Sequence, residues 1–384
     1  MLCTFLVTCN KNEDDDSGGS NNGLKSGQIE IKADPDKDNK ISFYATAKKI
    51  TIDWGDGKVD EFTPNGIKRE FVHEYPNQNS QNVSFATESI TDFSCGKGTF
   101  RELRFGKCTE LEEINCSNQQ LTVLDVRGAL KLKYLYCELN LLTELNIKNA
   151  VASLEVLSCT GNSLKTLDVS GASKLKSLNY DGYYNLVKLE ELNVKGCTAL
   201  TYLECRFNQI TQLDVSKNTA LTSLYCSGNK LAQLNVSNNE ILKELSCGGN
   251  QLSHIDLSKN TALTTLFCGI FDDYHGRLGQ FYNDGNKLTQ LDLSNNTELT
   301  LLSCSVNQLT QLNLSNNTVL FFLDCMSNKF SDSALNALFE SLPDRPQNAR
   351  GNIWFWSNPG APTLDTYYCD VSIFLRKNWY PYLQ

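Results

Sequence analysis

Histidine is scarce: three residues in 384, His73, His254 and His275, none in a recognisable nucleophile–base or metal motif. Positive charge is in deficit too. Thirty-five Lys and Arg against 44 Asp and Glu leave a formal charge of −9 and a pI near 5, without the basic footprint of a nucleic-acid binder. No apolar run approaches the ~20 residues of a membrane-spanning helix. Metal-site parts are missing as well, because the 15 cysteines include no paired CxxC spacing. Asp34-Pro35-Asp36-Lys37-Asp38 has the odd-position carboxylates of a calcium loop. It carries Asn39 and Ala45 where that loop needs glycine and a bidentate glutamate, so it reads as a solvated turn. No cofactor is expected. What remains is an ordinary folded composition, 40% hydrophobic and 21% charged, on a chain long enough for an extended array plus a smaller unit.

The array is legible in Ile210 to Lys230, ITQLDVSKNTALTSLYCSGNK, which the next 21 residues repeat as LAQLNVSNNEILKELSCGGNQ. Units open at Phe100, Leu121, Leu142, Leu164, Leu189, Ile210, Leu231, Leu252, Leu288 and Leu309, and Phe330 opens the exit. Leu221-x-x-Leu224-x-Cys226-x-x-Asn229-x-Leu231 resembles the leucine-rich-repeat family, with Cys in place of the third Leu. The resemblance implies a mostly β solenoid of about ten 21-residue coils. So short a unit has no room for a helix on its return side. Two short strands per coil are therefore predicted, around Leu224-Tyr225-Cys226 and Leu213-Asp214-Val215, stacking to roughly 50 Å.

Reading down equivalent positions assigns most columns to structure. The Cys column (Cys116 to Cys325, broken only by Tyr180) points inward as free, buried thiols. The Asn column (Asn140 to Asn328) satisfies backbone groups at a corner, and the alternating Asp/Asn column (Asp125 to Asn313) ties the following turn. The period fails twice, at Asp181-Gly182-Tyr183-Tyr184 and over roughly Gly269 to Gly285.

The flanks differ. Residues 28–93 alternate like half-buried strands, and Trp54-Gly55-Asp56-Gly57 with His73-Glu74-Tyr75 resembles the polycystic-kidney-disease (PKD) type of β-sandwich, which implies a small sandwich-like domain in which His73 is structural. Residues 94–329 form the array. Residues 330–384 read as an α/β cap, with a helix after Ser331 or Asp332 and before Pro343, a strand at Ile353-Trp354-Phe355-Trp356, and a short helix within Cys369 to Lys377. Asp332-Ser333-Ala334 also resembles a Bacteroidetes O-glycosylation sequon, but helix capping accounts for it. Residues 1–27 are a truncated export signal and an acidic, Ser/Gly-rich tail. Leu6-Val7-Thr8-Cys9 resembles the lipobox of bacterial lipoproteins, and the acidic run after it resembles the Bacteroidetes-type signal for the outer leaflet. The resemblance implies lipidation at Cys9, a lipid anchor as the only membrane contact, and an outer-membrane lipoprotein exposed on the extracellular face.

Function belongs where the template leaves freedom. The outward positions beside the inner Leu and Cys of the principal strand hold Tyr134, Tyr136, Tyr202, Glu204, Tyr225, Phe267, Phe322 and Asp324. The two breaks add Tyr183, Tyr184, Phe271, Tyr274, His275, Phe281 and Tyr282. Aromatics on a solvent face are enriched in binding surfaces, although they also stabilise neighbouring strands. The likeness to internalin-like surface repeats implies a non-enzymatic, monomeric module that binds a protein partner or mediates adhesion. The alternative is glycan capture for an outer-membrane polysaccharide uptake system. A hydrolase on Asp272, Asp273 and His275 and a purely mechanical spacer have less to support them.

Overall fold

The computed structural model describes residues 24–183, 187–269, 285–356, 358 and 369–381. Eight strands come first: β1 Gln28–Asp34, β2 Lys40–Thr46, β3 Lys49–Asp53, β4 Val59–Phe62, β5 Lys68–Glu74, β6 Gln81–Glu88, β7 Asp92–Cys95 and β8 Thr99–Phe105. They form two layers, β4-β3-β6-β1-β8 and β5-β2-β7, because alternate residues such as Ile29, Ile31 and Ala33 are apolar and turn to one face. Phe43 joins the layers, stacked on Phe85 at 4.8 Å and on Phe71 at 5.4 Å. His73 is buried against Trp54 (5.0 Å) with its Nε2 2.8 Å from Asp56 Oδ2, so it pins the Gly55–Gly57 turn. In the Asp34–Asp38 stretch, Asp36 Oδ1 accepts the Asp38 and Lys40 N–H groups while Asp34 pairs with Arg101 at 2.7 Å.

Both layers run on into the repeats. The remaining strands are β9 Glu113–Asn115, β10 Val123–Asp125, β11 Tyr134–Tyr136, β12 Val156–Ser158, β13 Thr166–Asp168, β14 Ser177–Asn179, β15 Glu191–Asn193, β16 Tyr202–Glu204, β17 Ser223–Tyr225, β18 Glu244–Ser246, β19 Thr265–Phe267, β20 Leu301–Ser303, β21 Phe322–Asp324, β22 Gly351–Trp354 and β23 Trp379–Pro381. β7 pairs in parallel with β9 on the front, and β8 with β10 on the return side. The first coil is thus templated on both sides by the sandwich, and the 93/94 boundary expected from the sequence falls inside β7. The front sheet has 15 strands, of which β9, β11, β12, β14 and β16 to β21 are the ten coils, paired in parallel and in register.

Among the described residues the expected second strand per coil forms only at β10, β13 and β15, and Leu213-Asp214-Val215 is not a strand. Side-chain amides do the bridging there. Asn218 Nδ2 donates to the Val194 and Cys197 carbonyls of the coil before, and Asn238 Nδ2 takes the Ser216 carbonyl. Where Ala172 and Cys197 fill the Asn218 position, backbones approach directly and Val169 N donates to Asn193 O at 3.0 Å. The buried Asn218, Asn239, Asn260, Asn296 and Asn317 therefore form a second amide ladder.

The cap seals the last coil. Helix α1 (Asp332–Ser341) starts at Ser331, whose side chain accepts the Ala334 N–H, and buries Leu335, Leu338 and Phe339. Ser341 Oγ accepts Leu314 N–H, tying α1 to the last return segment. Helix α2 (Ser372–Arg376) packs Phe374 on Phe339 at 4.9 Å. β22 and β23 extend the front sheet past β21, with Trp379 buried.

Candidate functional site

The interior of the coil fixes which side chains remain for the front. The thiols from Cys116 to Cys325 are buried and free among the described residues, with burial raising their pKa. Each Asn of the corner column staples two coils: Asn229 Oδ1 accepts Ile210 N–H, while its Nδ2 donates to the Cys205 and Cys226 carbonyls. The ladder continues across the longer break, where Asn286 bonds Leu252 N and the Cys247 and Cys268 carbonyls. On the return side, Asp and Asn from Asp125 to Asn313 accept the N–H two residues on, as Asp214 does from Ser216 at 2.9 Å.

The shorter break has lost this staple. Its coil carries Tyr183 where the others carry Asn or, in the first, Gln119, and Tyr180 where they carry Cys. One residue repairs both positions. The Tyr180 ring is fully buried in the thiol column, and its hydroxyl accepts Leu164 N–H at 3.1 Å and donates to Leu164 O at 3.3 Å. Leu164 N is the group that an Asn at 183 would have bonded, by analogy with Leu142 and Asn162. The phenol thus supplies a bridge across the core and releases 181–183 from the corner.

The released residues meet the strands beside them. Arg206 donates from Nε to Glu204 Oε1 at 2.7 Å, its Nη2 lies 2.5 Å from the same oxygen, and Asp181 Oδ2 is 3.7 Å away. The guanidinium carbon lies 5.5 Å from the Tyr225 ring centre and 5.9 Å from that of Phe207. Tyr202 bonds Glu204 and Tyr225 bonds Glu244, with the two rings 5.5 Å apart. Tyr183 is 38% exposed and meets Phe207 edge-on at 5.9 Å. Burial first, and then Glu204, raise Asp181 to about 6 against the pull of the Tyr183 N–H and Arg206. Burial and a bonded carboxylate also raise both phenols, Tyr202 through Glu204 and Tyr225 through Glu244. Phe207 has φ 56, at a position that is left-handed in other coils too, as Gly161, Gly228 and Gly249 and also as Asn118, Leu139, Val306 and Ser327. A left-handed backbone costs an L-residue ~1–2 kcal/mol, a cost that Leu139 and Val306 also bear at the equivalent position.

The front therefore has a focus rather than a uniform stripe. Tyr202, Glu204, Tyr225 and Tyr183 come together there. Tyr134 and Tyr136 lie on β11, three strands away or roughly 14 Å. Phe322 and Asp324 lie on β21, five strands away on the other side, with Phe322 edge-on to Trp354 at 5.6 Å. Glu204, Phe267 and Asp324, expected to face solvent, face away from the core yet are 6%, 8% and 3% exposed. The reason is lateral cover: Arg206 and Tyr202 close over Glu204, and Ser303 Oγ donates to Asp324 at 2.8 Å, whose carboxyl burial pushes up in pKa. Tyr184, Phe271, Tyr274, His275, Phe281 and Tyr282 lie outside the described residues, as does Cys9. Sequence reasoning missed Asp181, Arg206, Phe207 and Glu244. The signal for one was available, since Arg206 is the only cation among the described residues of a column that elsewhere holds Ser117, Glu138, Thr160, Asp181, Ser227, Gly248, Gly269, Ser305 and Met326, whereas the Phe207 column also holds Leu139 and Val306. Among the described residues no His, Cys, Asp and Glu group could hold a metal ion.

Comparison with solved structures agrees with the solenoid. The functional domain of InlJ from Listeria monocytogenes, which includes a cysteine ladder, is 31% identical over 70% of this chain and 52% of that one, at a TM-score of 0.55. The internalin inlF from the same species is 22% identical over 67% of this chain and 74% of its own, at 0.52. A leucine-rich-repeat protein of Leptospira interrogans is 22% identical over 66% and 62%, at 0.53. The chain spans about half the length of the InlJ domain structure. No family model matches the chain, and no curated protein matches it. The fold is a leucine-rich-repeat solenoid of about ten coils, and these structural neighbours are bacterial leucine-rich-repeat proteins.

Proposed function

We propose that this chain is a non-enzymatic binding module, displayed on the bacterial outer surface by a lipid on Cys9, whose front face holds a protein partner at the Tyr183–Tyr202–Arg206–Phe207–Tyr225 cluster. The observation that carries the reading is the convergence at the cluster: Arg206 is held against Glu204 between the Tyr225 and Phe207 rings, and Tyr183 stands exposed beside Phe207 where the period breaks. The neighbouring rings are half-buried, rigid and amphipathic, as interface anchors are. The architecture supports the class, because a parallel front sheet on a stapled core presents side chains without moving. The PKD-like unit then serves as the solenoid's N-terminal seal and as its spacer from the membrane.

The test is a binding comparison of the intact chain and its Tyr202→Ala/Tyr225→Ala variant. Both would be offered a detergent extract of surface proteins and an array of surface polysaccharides. Protein capture lost in the variant supports the reading. Glycan binding lost in the variant transfers the face to saccharide capture, and ligands unaffected by the variant refute a role for these rings. Metabolic labelling with a fatty acid, abolished by Cys9→Ser, tests the anchor separately.

A further inference from the structure

We infer that the partner is basic: a protein segment that lays lysine or arginine side chains across Asp181, Tyr202, Tyr225 and Glu244. The inference rests on reading this face as a protein-binding surface and adds the sign of what it binds. From β9 to β21, the two outward residues of each front strand and the one after its inner Cys or Tyr carry six carboxylates among the described residues. These are Glu113, Glu138, Asp181, Glu204, Glu244 and Asp324, and the only cation at those positions is Arg206. Lys133, Lys176 and Lys243 stand one residue earlier, at the border. Two of them are already matched, Lys133 by Glu112 at 2.9 Å and Lys176 by Glu155 at 2.7 Å.

Arg206 shows how the face receives a cation. Its guanidinium lies against Glu204 and beside the Tyr225 and Phe207 rings. Asp181 is 3.7 Å from Arg206, accepts the Tyr183 N–H and feels Lys188, while Glu244 accepts the Tyr225 hydroxyl and is matched by no cation among the described residues. A partner's lysine or arginine set between them meets the same combination of carboxylate and ring face. An acidic partner meets like charge, and a neutral glycan gains nothing from the field. The whole chain, at −9, steers in the same direction.

The experiment is selection of a random dodecapeptide phage library on the intact chain, repeated on Tyr202→Ala/Tyr225→Ala. The selected peptides are then measured against Asp181→Asn/Glu244→Gln, a near-isosteric pair. Peptides that depend on the face should be rich in lysine and arginine. Their affinity should fall about tenfold in the Asn/Gln variant and about tenfold more when salt rises from ~50 to ~300 mM. Face-dependent peptides that are neutral or acidic, or basic ones held equally by the Asn/Gln variant, overturn this inference and leave the binding face standing. No face-dependent peptide at all overturns both. If the double alanine variant fails to fold, judged by its urea midpoint, the Asn/Gln arm decides the sign alone.

Discussion

Tyr180→Phe tests the claim that one phenol does the work of both a thiol and an amide. The ring stays in the column, so no cavity opens, and only the hydroxyl bonded to Leu164 N and O is lost. Leu164 is fully buried, which leaves its N–H without a partner at a cost of about 1–3 kcal/mol. Tyr180→Cys restores the column's usual residue but loses the same bonds and removes the ring, so about 3–5 kcal/mol is expected. Adding Tyr183→Asn to Tyr180→Cys rebuilds the pattern of the neighbouring coils and should recover roughly 2 kcal/mol as a coupling energy. Long arrays do not guarantee two-state unfolding, so the assay combines urea denaturation with amide exchange at Leu164. The reasoning fails if Tyr180→Phe leaves both the midpoint and Leu164 protection unchanged, or if Tyr183→Asn rescues nothing.

Other outcomes follow from the same geometry. Asn229→Ala removes an acceptor for Ile210 N–H and donors to two buried carbonyls, so a loss of about 3–4 kcal/mol in urea denaturation is expected. Asp181 is held near 6 against an ordinary 3.8, so the folded state binds the proton more tightly. Its contribution to stability is complete below about pH 4 and is lost as pH rises through 6, a slope that Asp181→Asn should abolish in pH-dependent unfolding and that a carboxyl NMR titration should place near 6. Phe207→Gly should be more stable than Phe207→Ala by about 1 kcal/mol, the reverse of the usual order, because φ is 56; equal stabilities would remove the strain argument. Cys116, Cys137, Cys159, Cys226, Cys268, Cys304 and Cys325 should resist thiol reagents until the chain unfolds, since burial both hides them and disfavours the thiolate; rapid native labelling by mass spectrometry would contradict this.

The front of each coil was legible because three columns report it independently. Leu224 and Cys226 alternate with Tyr225, and Asn229 closes the corner, so period and register come from one line of text. The return side was not. Leu213-Asp214-Val215 alternates like a strand, but there the buried Asn218 side chain takes carbonyls of the coil before, whereas Val169 N bonds Asn193 O directly, a difference that periodicity does not weigh. The exposed columns gave the right residues with the wrong burial. Alternation says that Glu204 and Asp324 leave the core, but Arg206 and Ser303, from other positions and coils, decide that they are covered.

Period breaks carry more functional information than the aromatics do. A tyrosine in a regular coil, such as Tyr134, satisfies cross-strand packing and needs no further reason to be there. At 180–183 the chain gives up the corner amide, and Tyr180 reaches across the core to replace its bond. Nothing in the stacking requires that exchange, since the neighbouring coils manage with Cys and Asn. What the exchange changes is the outside: Asp181 comes within reach of Arg206, and Tyr183 meets the strained Phe207. A substitution that is neutral to the fold only because a second one repairs it, and whose visible consequence lies on the surface, is explained by the surface.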